Sequence, residues 1–160
     1  MRCLLGSCAW CVTMALLSWR VPAQVIPPEQ AEAVIDDLLQ SHIAANVPAE
    51  ADFDRFLRRD LVSYFTESGQ PPASVQYELL SNEPSQVGIG FPKYYVWVSV
   101  TRSGKQVIRG AGRLAAIQRE RFEVTHFVSE VDIQRDPGQL GRLFPAPVIA
   151  RINEKIRDGK

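Results

Sequence analysis

Between Val87 and Ile133 the chain reads VGIGFPKYYVWVSVTRSGKQVIRGAGRLAAIQRERFEVTHFVSEVDI, a stretch of β-forming residues with almost nothing between its apolar runs. It leaves room for little except consecutive antiparallel strands. Tyr, Val and Trp dominate Tyr94 to Arg102, broken only by Ser99 and Thr101, which suits a pleated and partly buried surface. Ser103-Gly104 is the turn signal, and as a two-residue loop it pairs Arg102 with Lys105. Counting down the ladder, Val100 then faces Val107, Val98 faces Arg109, Val96 faces Ala111 and Tyr94 faces Arg113. On the other face Trp97 lies opposite Gly110 and Tyr95 opposite Gly112, where a ring over a strand glycine covers bare backbone and permits a bend.

The next hairpin turns near Arg119-Glu120, and an even-length loop there pairs Ile117 with Phe122, Ala115 with Val124, Arg113 with His126, Ala111 with Val128 and Arg109 with Glu130. Neither Arg119 nor Glu120 is a residue that favours positive φ, so an odd loop or a bulge would slip the last strand by one. In the even register one face collects two polar rows: Tyr94, Arg113 and His126, then Arg109 and Glu130. A phenol, a guanidinium and an imidazole in one row suit a carboxylate or a polarised carbonyl, with His126 as proton acceptor, Arg113 as its partner and Glu130 orienting Arg109. The plainer reading is structural: a cross-strand ion pair at Arg109 and Glu130, a snorkelling Arg113 and a hydrogen-bonded His126.

The first 23 residues stand apart. Arg2 is a minimal basic start, Cys3 to Trp19 is uncharged and apolar, and Val21-Pro22-Ala23 offers small residues for cleavage before Gln24. This predicts a signal peptide, cleavage after Ala23 and a periplasmic or secreted protein, with an uncleaved membrane anchor as the alternative. Cleavage would remove Cys3, Cys8 and Cys11, all three cysteines, leaving no thiol for a nucleophile, a redox pair or a metal site. It would also remove Arg2 and Arg20, leaving 16 basic against 18 acidic residues and a net charge of −2. So small a charge does not draw the chain to nucleic acid or to an anionic membrane.

The remainder, 24–160, reads as one domain. From Pro27, Ala31, Val34, Ile35, Leu38, Leu39 and Ile43 recur at helical spacing, with Glu29, Glu32, Asp36 and Asp37 on a solvated face. A second helix over about Ala51 to Glu67 carries Phe53, Phe56, Leu57, Leu61, Tyr64 and Phe65 as a wide stripe that needs a sheet to cover. Gly69-Gln70-Pro71-Pro72 breaks it, Val75 to Ser81 is the first strand, and Val87, Ile89 and Phe91 follow a polar turn. After Ile133, Leu140, Leu143 and Phe144 form a short turn or helix, and Pro147 opens a last helix. The expectation is an α+β domain: N-terminal helices on one face of a curved four-stranded antiparallel meander, closed by a short C-terminal helix.

In element order, and in the curvature residues Gly110 and Gly112, the chain resembles the cone-shaped NTF2-like superfamily and, less closely, cystatin-like folds over roughly Pro27 to Ile133. That resemblance implies a cavity inside a bent sheet, used in some members for isomerase or dehydratase chemistry and in others for binding or assembly. No catalytic motif carries a role onto particular residues. Gly88-Ile89-Gly90 and Gly110-Ala111-Gly112 lie within strands and open no helix, so neither cradles a phosphate, and no G-x-S-x-G elbow occurs. With His42 and His126 as the only histidines, no multi-histidine zinc site is possible.

Two functional classes follow. The first is an exported, non-enzymatic module that binds a protein partner or a small apolar or acidic ligand through Tyr94, Arg109, Arg113, His126 and Glu130. It would need no cofactor, is compatible with a homodimer, and would meet a membrane only through an uncleaved N-terminal segment; a membrane-anchored accessory subunit of an envelope complex is a separate alternative. The second is a small cofactor-free isomerase- or dehydratase-like enzyme using His126 and Arg113.

Overall fold

In the computed structural model, which describes residues 27–66, 74–86 and 90–159, four antiparallel strands form one open, curved sheet. Their order is that of the chain: Ser74–Leu79 (β1), Lys93–Arg102 (β2), Lys105–Ile117 (β3) and Arg121–Ser129 (β4). Helices Pro28–Asn46 (α1) and Glu50–Phe65 (α2) precede the sheet, and Glu130–Arg135 (α3), Leu140–Leu143 (α4) and Ala146–Asp158 (α5) follow its last strand. This is the expected α+β class. The N-terminal apolar segment with its cysteines, the break at Gly69 to Pro72, and Val87 and Ile89 lie outside the described residues.

The helices do not share one face, as the sequence reading supposed. One face is covered by α2, whose Leu57 and Leu61 are fully buried with Tyr94, Val96, Val98, Val100 and Leu114. The opposite face carries Tyr95, Trp97, Ala111 and Val128 and is covered by Ile133, Leu140, Phe144, Val148 and Ile152 from α3, α4 and α5. The reason is written in β2, where Tyr94 to Val98 is apolar at five successive positions. Alternating side chains of such a strand point both ways, and each large apolar side chain left in water would forfeit about 1.5–3 kcal/mol. Two helical layers are the result.

The register differs from the simple count in two places. Ser103 (φ 49°) and Gly104 (φ 75°) do make the two-residue turn, with Arg102 opposite Lys105 and Thr101 opposite Gln106. Val107 is then an extra residue, a bulge, and Val100 pairs with Ile108. From there every β2 partner shifts by one: Val98 faces Gly110, Val96 faces Gly112, Trp97 faces Ala111, Tyr95 faces Arg113 and Tyr94 faces Leu114. The second hairpin turns through Gln118, Arg119 and Glu120, with positive φ at Gln118 (53°) and Arg119 (62°), so near the turn Ile117 faces Arg121 and Ala115 faces Glu123. A second bulge at Thr125 cancels that odd loop. Beyond it Arg113 faces His126 and Ala111 faces Val128, the pairs the even count expects.

Two further departures concern the ends of elements. β4 stops at Ser129, whose side chain accepts a hydrogen bond from the Asp132 amide at 3.1 Å and so caps α3; Glu130 therefore opens a helix and is not a strand residue. α1 touches the sheet mainly through its C-terminal end. There Asn46, the one buried polar residue among the described residues, accepts from the Gln118 amide through its side chain (3.2 Å) and from the Arg119 amide through its carbonyl (2.8 Å). Its expected apolar stripe stays in water, with Val34, Ile35 and Leu38 between 55% and 62% exposed.

Gly110 is required by close approach. A Cβ there would lie 2.3 Å from the Val128 carbonyl oxygen and 2.8 Å from the Phe127 ring, so the ring over this glycine belongs to Phe127 and not to Trp97. Backbone on one side and a partly buried ring on the other leave a Cβ no room unless the strands part. We therefore expect Gly110→Ala to destabilise the fold by about 3 kcal/mol, read as a fall in Tm of roughly 10 °C in thermal denaturation. A change within 1 °C would show that the two strands separate freely at this point.

Candidate functional site

The expected polar rows are divided by the sheet. Tyr94 lies on the α2 face, edge-on to Phe53 (ring centroids 5.0 Å apart) and to Phe122 (5.7 Å), while Arg113 lies on the opposite face. The phenol that shares a row with Arg113 and His126 is Tyr95, which is hydrogen-bonded to Ser85. The cause is the Val107 bulge, which moves every tyrosine of β2 by one place relative to β3.

Arg113 and His126 are cross-strand neighbours, as expected, but they serve different surroundings. Arg113 donates to the Thr125 hydroxyl (3.3 Å) and to the Leu143 carbonyl (3.3 Å), which ties α4 to the sheet. His126 is exposed at the sheet edge. Lys93, which the sequence reading overlooked, comes near Arg113, and burial together with that guanidinium lowers its pKa. Its place could have been found from the register alone, since Lys93 pairs with Ala115, two positions from Arg113.

Arg109 and Glu130 do form an ion pair (3.2 Å), with side chains only 20% and 18% exposed. Arg109 also donates to the Lys155 carbonyl (3.3 Å), lies 5.6 Å from the centre of the Trp97 ring, and packs so closely beneath Gly159 that a Cβ there would strike its guanidinium. A cation at the carbonyl end of α5 and an acid in the first turn of α3 both suit the helix dipoles. One side chain thus joins two helices to the sheet. Exposed Val107 and Val131 rim an adjacent hollow of about 380 Å³, but its polar floor is this ion pair.

An open groove lies on the other face, where α1 gives way to α2. It has a volume of about 490 Å³, apolar walls from Val47, Pro48, Phe53 and Leu79, and Glu50, Asp54 and Asn82 as polar lining, with Tyr94 completing it. Tyr94 is 5% exposed, burial raises its pKa, and its hydroxyl makes no hydrogen bond among the described residues. Asp54 accepts from the Tyr77 hydroxyl (2.6 Å) and from Arg58 (3.1 Å), and these bonds hold its carboxyl below the usual carboxylate range. No lysine or arginine lines the groove. Sequence reasoning missed this site because it joins an interhelical corner to β1 and β2, residues far apart in the chain; the only local signal was Tyr94, assigned to the wrong face.

Among the described residues no helix is long and apolar enough to cross a membrane, and no three His, Cys, Asp or Glu side chains gather as a metal site. No protein-family model, curated protein or solved structure significantly matches the chain.

The Arg109 arrangement predicts energetic coupling. In a double-mutant cycle with Arg109→Met and Glu130→Gln, we expect a coupling energy of about 1–2 kcal/mol from chemical denaturation. Additive losses would mean that the two charges are held by water and not by each other.

Proposed function

We propose that this chain is an exported, non-enzymatic binding module that receives its ligand or partner in the groove between the α1–α2 corner and the start of β2. The observation that supports this reading is Tyr94: its ring is buried, while its hydroxyl makes no hydrogen bond among the described residues and lines a groove walled by Val47, Pro48, Phe53 and Leu79. A hydroxyl that opens onto such a groove offers a ligand one directional hydrogen bond, worth about 0.5–1.5 kcal/mol net. Concave, mostly apolar sites with a few convergent polar groups are the usual form of small-ligand sites.

The polar row that first suggested chemistry supports catalysis less well. Arg109 is engaged by Glu130 and by the end of α5, and Arg113 by Thr125 and the α4 carbonyl. His126 sits in water beside them. An acidic ligand at that row would have to draw Arg113 away from the backbone it supports. The likeness to the NTF2-like architecture belongs to this proposal only as an order of elements, helices first and a bent sheet after.

Export rests on the N-terminal sequence, with cleavage after Ala23. Intact-mass measurement of the chain recovered outside the cytoplasm is expected to give a product beginning at Gln24. Recovery only as a full-length, membrane-bound chain would replace the exported module with an anchored subunit.

Binding is tested by purifying the tagged chain from its native compartment and measuring retained molecules by native mass spectrometry. The His126→Gln variant should retain what the parent retains. Leu79→Trp, which fills the groove from β1, should lose at least nine-tenths of it while its circular dichroism stays unchanged. Retention that follows His126 and ignores Leu79 would move the site to the other face.

A further inference from the structure

From the charges around the groove we infer that its ligand is a small apolar molecule bearing a protonated amine. The inference rests on the groove being the binding site and adds the chemistry of what it takes. Three features of the lining decide the matter. Both ionisable groups on its wall that carry charge at neutral pH, Glu50 and Asp54, are acids, and no basic side chain faces them from α1, β1 or β2 within the lining.

Asp54 is bonded on one oxygen by Tyr77 and Arg58, which keeps it ionised and holds it in place. Arg58 offsets part of that charge, so the uncompensated acid is Glu50, which makes no ion pair among the described residues. An anionic ligand would meet both carboxylates at the open side of the groove, where like charges repel, and more strongly at low salt.

The apolar walls select the rest of the molecule. Val47, Pro48, Phe53 and Leu79 offer no hydrogen bond through their side chains, so a hydrated metal ion or a sugar would lose water there without replacement. An alkyl or aryl chain gains from the same burial. Tyr94 then supplies one hydroxyl, and the edge-to-face pair it makes with Phe53 holds its ring in one position while the ligand enters. An ammonium near these two rings has the additional attraction of a cation for an aromatic face. A volume of about 490 Å³ suits a molecule of this kind and not a folded domain.

The test is calorimetric titration of the purified chain with three probes of equal length: hexylammonium, hexanol and hexanoate, at neutral pH. Hexylammonium is expected to bind at least tenfold more tightly than hexanol, with hexanoate weakest. Glu50→Gln, an exposed change in the first turn of α2 that should leave the fold intact, is expected to lower the ammonium affinity at least fivefold and leave hexanol unchanged. Tyr94→Phe should weaken the ammonium and the alcohol alike.

Hexanoate binding as well as or better than hexylammonium would overturn the amine inference and leave the groove as a binding site. An ammonium preference that survives Glu50→Gln would overturn it too, since the charge would then be read elsewhere. If none of the three probes binds, the amine inference fails, and the groove reading is then decided separately by whether Leu79→Trp abolishes what the purified chain retains.

Discussion

Arg109 holds the second half of this structure to the first. Its guanidinium reaches the carboxylate at the start of α3, a backbone carbonyl near the end of α5 and the Trp97 ring, and the turn at Gly159 closes over it. Without that junction the short helices after β4 would keep their apolar stripes, the Arg113 bond to α4 and the exposed pair of Lys155 with Glu78 of β1. A hydrophobic stripe says that a helix must cover something but leaves its angle and height loosely specified. The directional bonds of one partly buried cation set both, and Arg113 repeats the device at α4.

Because the second layer is seated in this way, the sheet has no free apolar face, and an open concavity has to form at a corner. The corner is where α1 leaves the body. Asn46 pins the end of α1 to the β3–β4 turn, α2 begins four residues later, and the start of β2 passes beneath with Tyr94. Aromatic edges fill most of the space between them. What remains open is lined by Glu50 in the first turn of α2, where that end of a helix favours negative charge, and by Asp54 one turn further on. The same preference that stabilises α2 therefore colours the groove with a sign. The charge that suits the helix and the charge proposed to select a ligand have one origin.

The legibility of this chain in its sequence divides along a physical line. Element types came through well: the tyrosine, valine and tryptophan run of β2, the Ser103-Gly104 turn and the helical spacing of Leu57, Leu61 and Phe65 each act locally. The single domain order, helix pair, meander and closing helices, followed from them. The second layer was readable in principle, because Tyr95 and Trp97 alternate with Tyr94, Val96 and Val98 and must point the other way. The Ser129 to Asp132 cap was likewise present as a pattern. The candidate site fared worse. Arg113 and His126 were paired correctly through two irregularities that cancel, an odd turn and a bulge at Thr125, while Tyr94 was placed on the wrong face by one bulge that does not cancel.

By itself, then, the sequence determined most of the segments that become helix and strand and their order, since these depend on neighbours within a few residues, although Glu130 to Ile133 reads as strand and is helix. Only the tertiary structure decided the register at Val107 and Thr125, the seating of Arg109, and the face on which Tyr94 meets Phe53 and Glu50. The reason is that a side chain in a strand changes face with every single residue of slip. Whether an extra residue is absorbed depends on packing across the whole sheet, and no local run of letters contains that sum.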